Sequence, residues 1–187
     1  MVANTFFEAK VEQLIDLARL FGSALEQAGL KYRVVGGLAV FVHVDSVDPL
    51  AGRLTRDVDV AIDRRDLEKV RAALEPYGFR YRHAASVDMF VYGAVPKARS
   101  AVHLLFIGEK VRPADLETVP GSEPVRSEAG ILVAPVADLL RMKLTSFRLK
   151  DKVHIQDMDS VGLITPEIEK ALPPVMRERL QEIRATE

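Results

Sequence analysis

Two aspartates one residue apart, Asp57 and Asp59, stand in the run Thr55-Arg56-Asp57-Val58-Asp59-Val60-Ala61-Ile62. Val58, Val60 and Ile62 alternate with Asp57, Asp59 and Ala61 at the period of a strand, so the two carboxylates point to one face. Side by side, each destabilises the other's charge, and a divalent cation removes that cost. Mg²⁺ takes one or two protein carboxylates and completes its shell with water and substrate phosphates. The pattern therefore suits phosphoryl or nucleotidyl transfer, although the exposed face of an edge strand would look the same. Upstream, Val34-Val35-Gly36-Gly37-Leu38 runs a strand straight into a helix through two glycines. Such a turn lets the backbone approach a ligand closely and presents free helix N–H groups to a phosphate. A plain tight turn shares that pattern.

A third feature lies far downstream. On a helix starting at Pro135, Val136, Leu139, Leu140, Leu144 and Phe147 form one apolar stripe with Lys143 in its middle, while Arg141, Thr145 and Arg148 fall on the other side. A lysine on the inward face either snorkels to water or meets a buried anion.

The elements that must position these groups are legible from periodicity and breakers. Thr5-Phe6-Phe7-Glu8 reads as a capping box opening a helix over 5–28. Tyr32 to Val35 reads as a strand, Leu38 to Val44 as a short buried helix, and Asp45 to Leu54 as a loop. After the Asp57–Ile62 strand, Asp63 to Glu75 is an amphipathic helix stopped by Pro76 and Gly78. Strands are expected at Phe79–His83, Val87–Tyr92 and Ala101–Ile107, with Gly93, Pro96 and Ser100 between them, and a hairpin at 124–126 and 131–134. Helices follow at Pro135–Lys150, Val153–Val161, Pro166–Leu172 and Pro174–Ala185. The fold class is α+β, α/β-like: a mixed twisted β-sheet flanked by helices with a C-terminal helical layer. The expected division is a core over 1–134 and a helical segment over 135–187 packed on it.

Composition bounds the rest. The 187 residues are 48% hydrophobic, enough for a core, and 26 Lys+Arg against 27 Asp+Glu leave a net charge of −1, so any polyanion contact must come from a local patch such as Arg148, Lys150 and Lys152. Cysteine is absent, which removes disulfide and thiolate chemistry. The first ten residues carry no signal-peptide pattern and no apolar run spans a bilayer, so a cytoplasmic protein without a membrane partner is expected.

Strand, Gly-Gly, short helix, then Arg53-x-Thr55-Arg56-Asp57-Val58-Asp59 resembles the polymerase-β-like nucleotidyltransferase superfamily, and the wording of 34–60 is similar to bacterial abortive-infection nucleotidyltransferases and their small relatives. The resemblance implies the nucleotidyltransferase fold, NTP (ATP among them) as substrate, and Mg²⁺ or Mn²⁺ as cofactor. It implies Gly36 and Gly37 at the triphosphate, Asp57 and Asp59 on the metal, and Arg56 and Lys143 near the nucleotide. Many such proteins are toxins of toxin–antitoxin pairs, so the partners implied are a nucleotide, an acceptor (tRNA, a protein or a small molecule) and an antitoxin. The segment Lys143, Arg148, Lys150-Asp151, Gln156-Asp157-Met158 is similar to the family's downstream stretch, with Asp157 a candidate supporting or base residue.

One departure stands out. The family's third carboxylate is expected on the strand Val102-His103-Leu104-Leu105, and here the position is histidine. His103 can accept a proton or ligate a softer ion such as Mn²⁺ or Zn²⁺, but cannot bridge two Mg²⁺. Asp88 is the alternative carboxylate if its strand lies beside that of Asp57. Two functions stay open: a metal-dependent nucleotidyltransferase, or a lapsed member that binds nucleotide or a partner as a regulatory module.

Overall fold

A computed structural model describes residues 2–53, 55–93 and 101–186, with side chains in the first helix from residue 9 onward. The elements run α1 (Val2–Gln27), β1 (Arg33–Val35), α2 (Gly36–Asp45), β2 (Val58–Ile62), α3 (Leu67–Leu74), β3 (Phe79–Ala84), β4 (Val87–Tyr92), β5 (Ala101–Phe106), β6 (Val125–Arg126), β7 (Leu132–Val133), α4 (Val136–Ser146), α5 (Leu149–Ser160), α6 (Pro166–Lys170) and α7 (Pro174–Arg184). Short 3₁₀ turns, Arg64–Asp66 and Glu75–Tyr77, flank α3.

The strands form one mixed sheet in the order β3-β4-β5-β2-β1-β7-β6. The two longest buried strands lie side by side: β2 runs parallel to β5, and Asp59 pairs with His103. On the other side β1 runs antiparallel to β2 and sets Val35 opposite Asp59. The strand ends carrying chemistry therefore meet where β1 turns into α2. Alternation then sorts the side chains. Val34, Val60, Leu104 and Phe90 share one face, where Phe21 of α1 packs edge-on against Phe79 and Phe90. Asp59 and His103 share the other face, toward α2, α4 and α5.

Several expected boundaries shift for identifiable reasons. The first helix begins at Val2, so Thr5–Glu8 lie within it rather than at its start, and their side chains lie outside the described residues. The expected turn at Pro96 and Ser100, and Leu54 at the end of the expected loop, also lie outside them. The second helix starts at the glycines themselves, not at Leu38. The single helix expected over 135–150 is two: α4 stops at Ser146, Phe147 turns left-handed (φ 47°) and Arg148 is extended before α5 begins. As a consequence Arg148 is not on the solvated side of α4 but is the N-cap of α5. Asp151, three residues on, closes a capping box by accepting from the Arg148 backbone N–H at 3.2 Å. Phe147 is held in its unusual conformation by Lys152 and Arg179, whose cations sit 4.2 and 4.7 Å from the ring centre. Among the described residues, no helix is long and apolar enough to cross a membrane.

Candidate functional site

The buried Val34–Val60 pair sits at the centre of the β1–β2 contact, and the chain then turns so tightly that Gly36 takes φ +69°. A Cβ built on Gly36 would lie 2.1 Å from Asp59 Oδ2, and one on Gly37 2.6 Å from Thr55 Oγ1. The glycine doublet is thus needed first by the protein itself: it lets the Asp59 carboxylate lie against the backbone at the start of α2. Asp59 is also fixed from the other side, because His103 Nδ1 stands 3.3 Å from Asp59 Oδ1. That contact favours the protonated imidazole, against its partial burial, and raises the His103 pKa.

These groups line one cleft of about 670 Å³, which contains Gly36, Gly37, Thr55, Arg56, Asp57, Asp59, His103, Lys143 and Arg148 in its walls. Its size matches a nucleotide-scale ligand. Asp57 and Arg56 are exposed at the mouth, and Asp59 is half-buried deeper in. All six sequence-predicted groups at this end, Gly36, Gly37, Arg56, Asp57, Asp59 and His103, come together.

Lys143 reaches the cleft wall but does not snorkel. It is 7% exposed, and its ammonium is 3.2 Å from Asp151 Oδ1. Asp151, fully buried, also accepts from Ser146 Oγ at 2.8 Å and Arg148 Nε at 2.7 Å. Burial would raise the Asp151 pKa, but the Arg148 hydrogen bond, the Lys143 charge and the Ser146 hydroxyl outweigh it and hold it at about 2. Burial lowers the Lys143 pKa, and Asp151 offsets part of that effect. The inward lysine thus meets a buried anion, and that anion comes from the next helix.

Two other candidates are engaged with other partners, although Asp88 also stands in the lining of the cleft. Asp88 pairs in register with Leu104, so it points to the sheet face opposite His103 and Asp59. There it takes hydrogen bonds from the Tyr81 hydroxyl and from His83 at 2.8 Å. Asp157 pairs with Arg53 Nε at 2.7 Å, tying the loop before β2 to α5, and neither side chain lines the cleft. His154, not singled out from sequence, does line it. Its Cε1 lies 3.4 Å from the Cβ position of Gly37, and burial, then Lys143, lowers its pKa to about 4.

An antigenic nucleotidyltransferase-like protein from Paracoccidioides brasiliensis superposes with a TM-score of 0.51 at 19% identity, covering 94% of this chain and 87% of its own. The chain has the nucleotidyltransferase fold. The solution structure of the antibiotic-resistance factor ANT(2'')-Ia covers 94% of this chain and 84% of its own at 13% identity, with a TM-score of 0.48. No family model and no curated protein matches the sequence.

The donor set can be tested against the cation this fold implies. Asp57, just before β2, and Asp59 both line the cleft beside the start of α2, which fits one hard cation shared with substrate phosphates. Among the described residues, no group of three or more His, Asp or Glu is placed to hold a metal. With His103 at the third position, the site fits one such ion rather than a bridged pair.

Proposed function

We propose that the protein transfers a nucleoside monophosphate from a nucleoside triphosphate to a hydroxyl acceptor. One observation carries this reading: the carboxylates Asp57 and Asp59, the Gly36–Gly37 helix start and the cations Lys143 and Arg148 line a single cleft. A divalent cation bound at Asp57 and Asp59 would neutralise charge on the phosphates. The chain's own groups supply the rest. The first N–H groups of α2 and the net positive charge of the Lys143–Arg148–Asp151 cluster balance the triphosphate and the departing pyrophosphate. The acceptor oxygen attacks the α-phosphorus, the bond from that phosphorus to the α,β-bridging oxygen breaks, and pyrophosphate leaves with the electron pair. The hydroxyl proton passes to water or to unprotonated His103, whose ring Asp59 orients.

The acceptor is a tRNA end, a protein side chain or a small molecule, and a toxin role would appear as growth arrest relieved by a partner protein. A second reading rests on His103: an imidazole paired to Asp59 where a carboxylate is expected suits a module that binds nucleotide without turnover. Pyrophosphate release from each NTP with Mg²⁺ or Mn²⁺, over RNA, protein and small-molecule acceptors, separates the two. Turnover lost in Asp59→Ala supports transfer. Tight binding with no release on any acceptor supports the binding module.

A further inference from the structure

His154 is an anomaly in the wall of the cleft. A histidine packed between helices ordinarily hydrogen-bonds through at least one ring nitrogen. Here Nδ1 is sealed from solvent with no partner, and Nε2 has no protein partner among the described residues but is not among the sealed atoms. The ring edge lies against Gly37 at the start of α2, and Thr55 Oγ1 is close to the same glycine position. The charges of Lys143, Lys150 and Arg148 act against a positive charge on the ring, while that of Asp151 acts in its favour. Added positive charge here is unfavourable, so the ring stays neutral, and a sealed Nδ1–H with no acceptor would carry the full cost of an unsatisfied donor. The proton then sits on Nε2, the nitrogen with access to the cleft.

We propose that His154 is a phosphate-binding residue, its neutral imidazole donating from Nε2 to a phosphate oxygen seated over Gly37 beside Lys143. This rests on the nucleotide-binding reading of the cleft. The chemistry it recognises is a phosphate oxygen at the α2 N-terminus, whether from an intact triphosphate or from free pyrophosphate. Unlike Lys143 and Arg148, whose charges are engaged with Asp151, His154 brings a donor that no protein group occupies.

The test compares the whole protein with His154→Ala, His154→Gln and His154→Asn by titration with each of the four NTPs, with pyrophosphate and with adenosine. Glutamine places an amide N–H near the Nε2 position, and asparagine near Nδ1. The expected result is a tenfold or greater loss of NTP and pyrophosphate affinity in His154→Ala, on the order expected for a hydrogen bond to a charged group. Recovery is expected in His154→Gln but not in His154→Asn, with adenosine affinity unmoved. Histidine ¹⁵N spectra of the unliganded protein should give the Nε2–H tautomer, with a shift on adding NTP. Equal NTP affinity in wild type and His154→Ala overturns the proposal, as does an Nδ1–H tautomer or a spectrum unmoved by saturating NTP. If wild type binds no NTP and no pyrophosphate, the nucleotide reading itself fails; if it binds pyrophosphate alone, the site takes free pyrophosphate and the His154 comparison is read on that ligand.

Discussion

Changing Asp151→Asn should be among the most damaging single substitutions near the cleft. Asp151 has no exposed surface and takes hydrogen bonds from Lys143, Ser146 and Arg148. The amide has the same shape but no charge, and leaves the buried Lys143 ammonium without its counter-ion. Breaking a buried pair in this way costs about 3–5 kcal/mol. For a chain of this length that lowers Tm by roughly 6–20 °C. Acid titration gives an independent measure. Because Asp151 is held at about 2 in the folded protein, its contribution is complete above the ordinary carboxylate range near pH 4. It is lost as pH falls toward 2, and amounts to about 2 kcal/mol. Thermal melts of wild type, Asp151→Asn, Lys143→Met and the double variant, from pH 2 to 7, read both effects. Lys143→Met alone should cost less, since Arg148 and Ser146 still satisfy Asp151, and the double variant should be more stable than Asp151→Asn. The reasoning is refuted if Asp151→Asn melts within about 2 °C of wild type at pH 7, or if the double variant melts below it.

Other expectations follow from the same geometry. Gly36→Ala puts a Cβ against Asp59 at a left-handed φ, so it should destabilise by about 1–3 kcal/mol and abolish NTP binding. Gly37→Ala meets the Thr55 and His154 side chains rather than Asp59, with no left-handed φ, and should be milder in a denaturant melt and a binding titration; the opposite ranking would contradict the account. His103→Asp sets a third carboxylate beside Asp59, so its Tm should drop without divalent cation and recover on adding Mg²⁺ or Mn²⁺. A Tm indifferent to cations would count against a metal position there.

The parts of the site that were legible in sequence are those set by local pattern. Alternation put Asp57 and Asp59 on one face, and the doublet Gly36-Gly37 between strand and helix located their neighbour. Helical periodicity placed Lys143 on an inward face, and the histidine in the Val102–Leu105 strand was visible as a departure. What periodicity could not supply was partnership across elements. Lys143 finds Asp151 only because the chain breaks at Phe147, a left-handed residue held by two cations that no helix rule anticipates. Asp88 and Asp157 were plausible by residue type, but sheet register put the first on the face opposite Asp59 and His103, although it still lines the cleft, and Arg53 took the second. His154 was missed because a lone histidine in a charged helix carries no signal until Gly37 and Thr55 are brought against it.

The central claim is that Asp57 and Asp59 hold a cation for a nucleotide seated at Gly36–Gly37. Titration of wild type and the Asp57→Asn/Asp59→Asn double variant with each NTP, with and without Mg²⁺, tests it directly. Wild type should bind at least one NTP tenfold or more tightly with Mg²⁺, an effect on the order of a single ion contact, and the double variant should lose that dependence. NTP affinity unchanged by Mg²⁺ in wild type, or the same Mg²⁺ dependence in both proteins, would contradict the account.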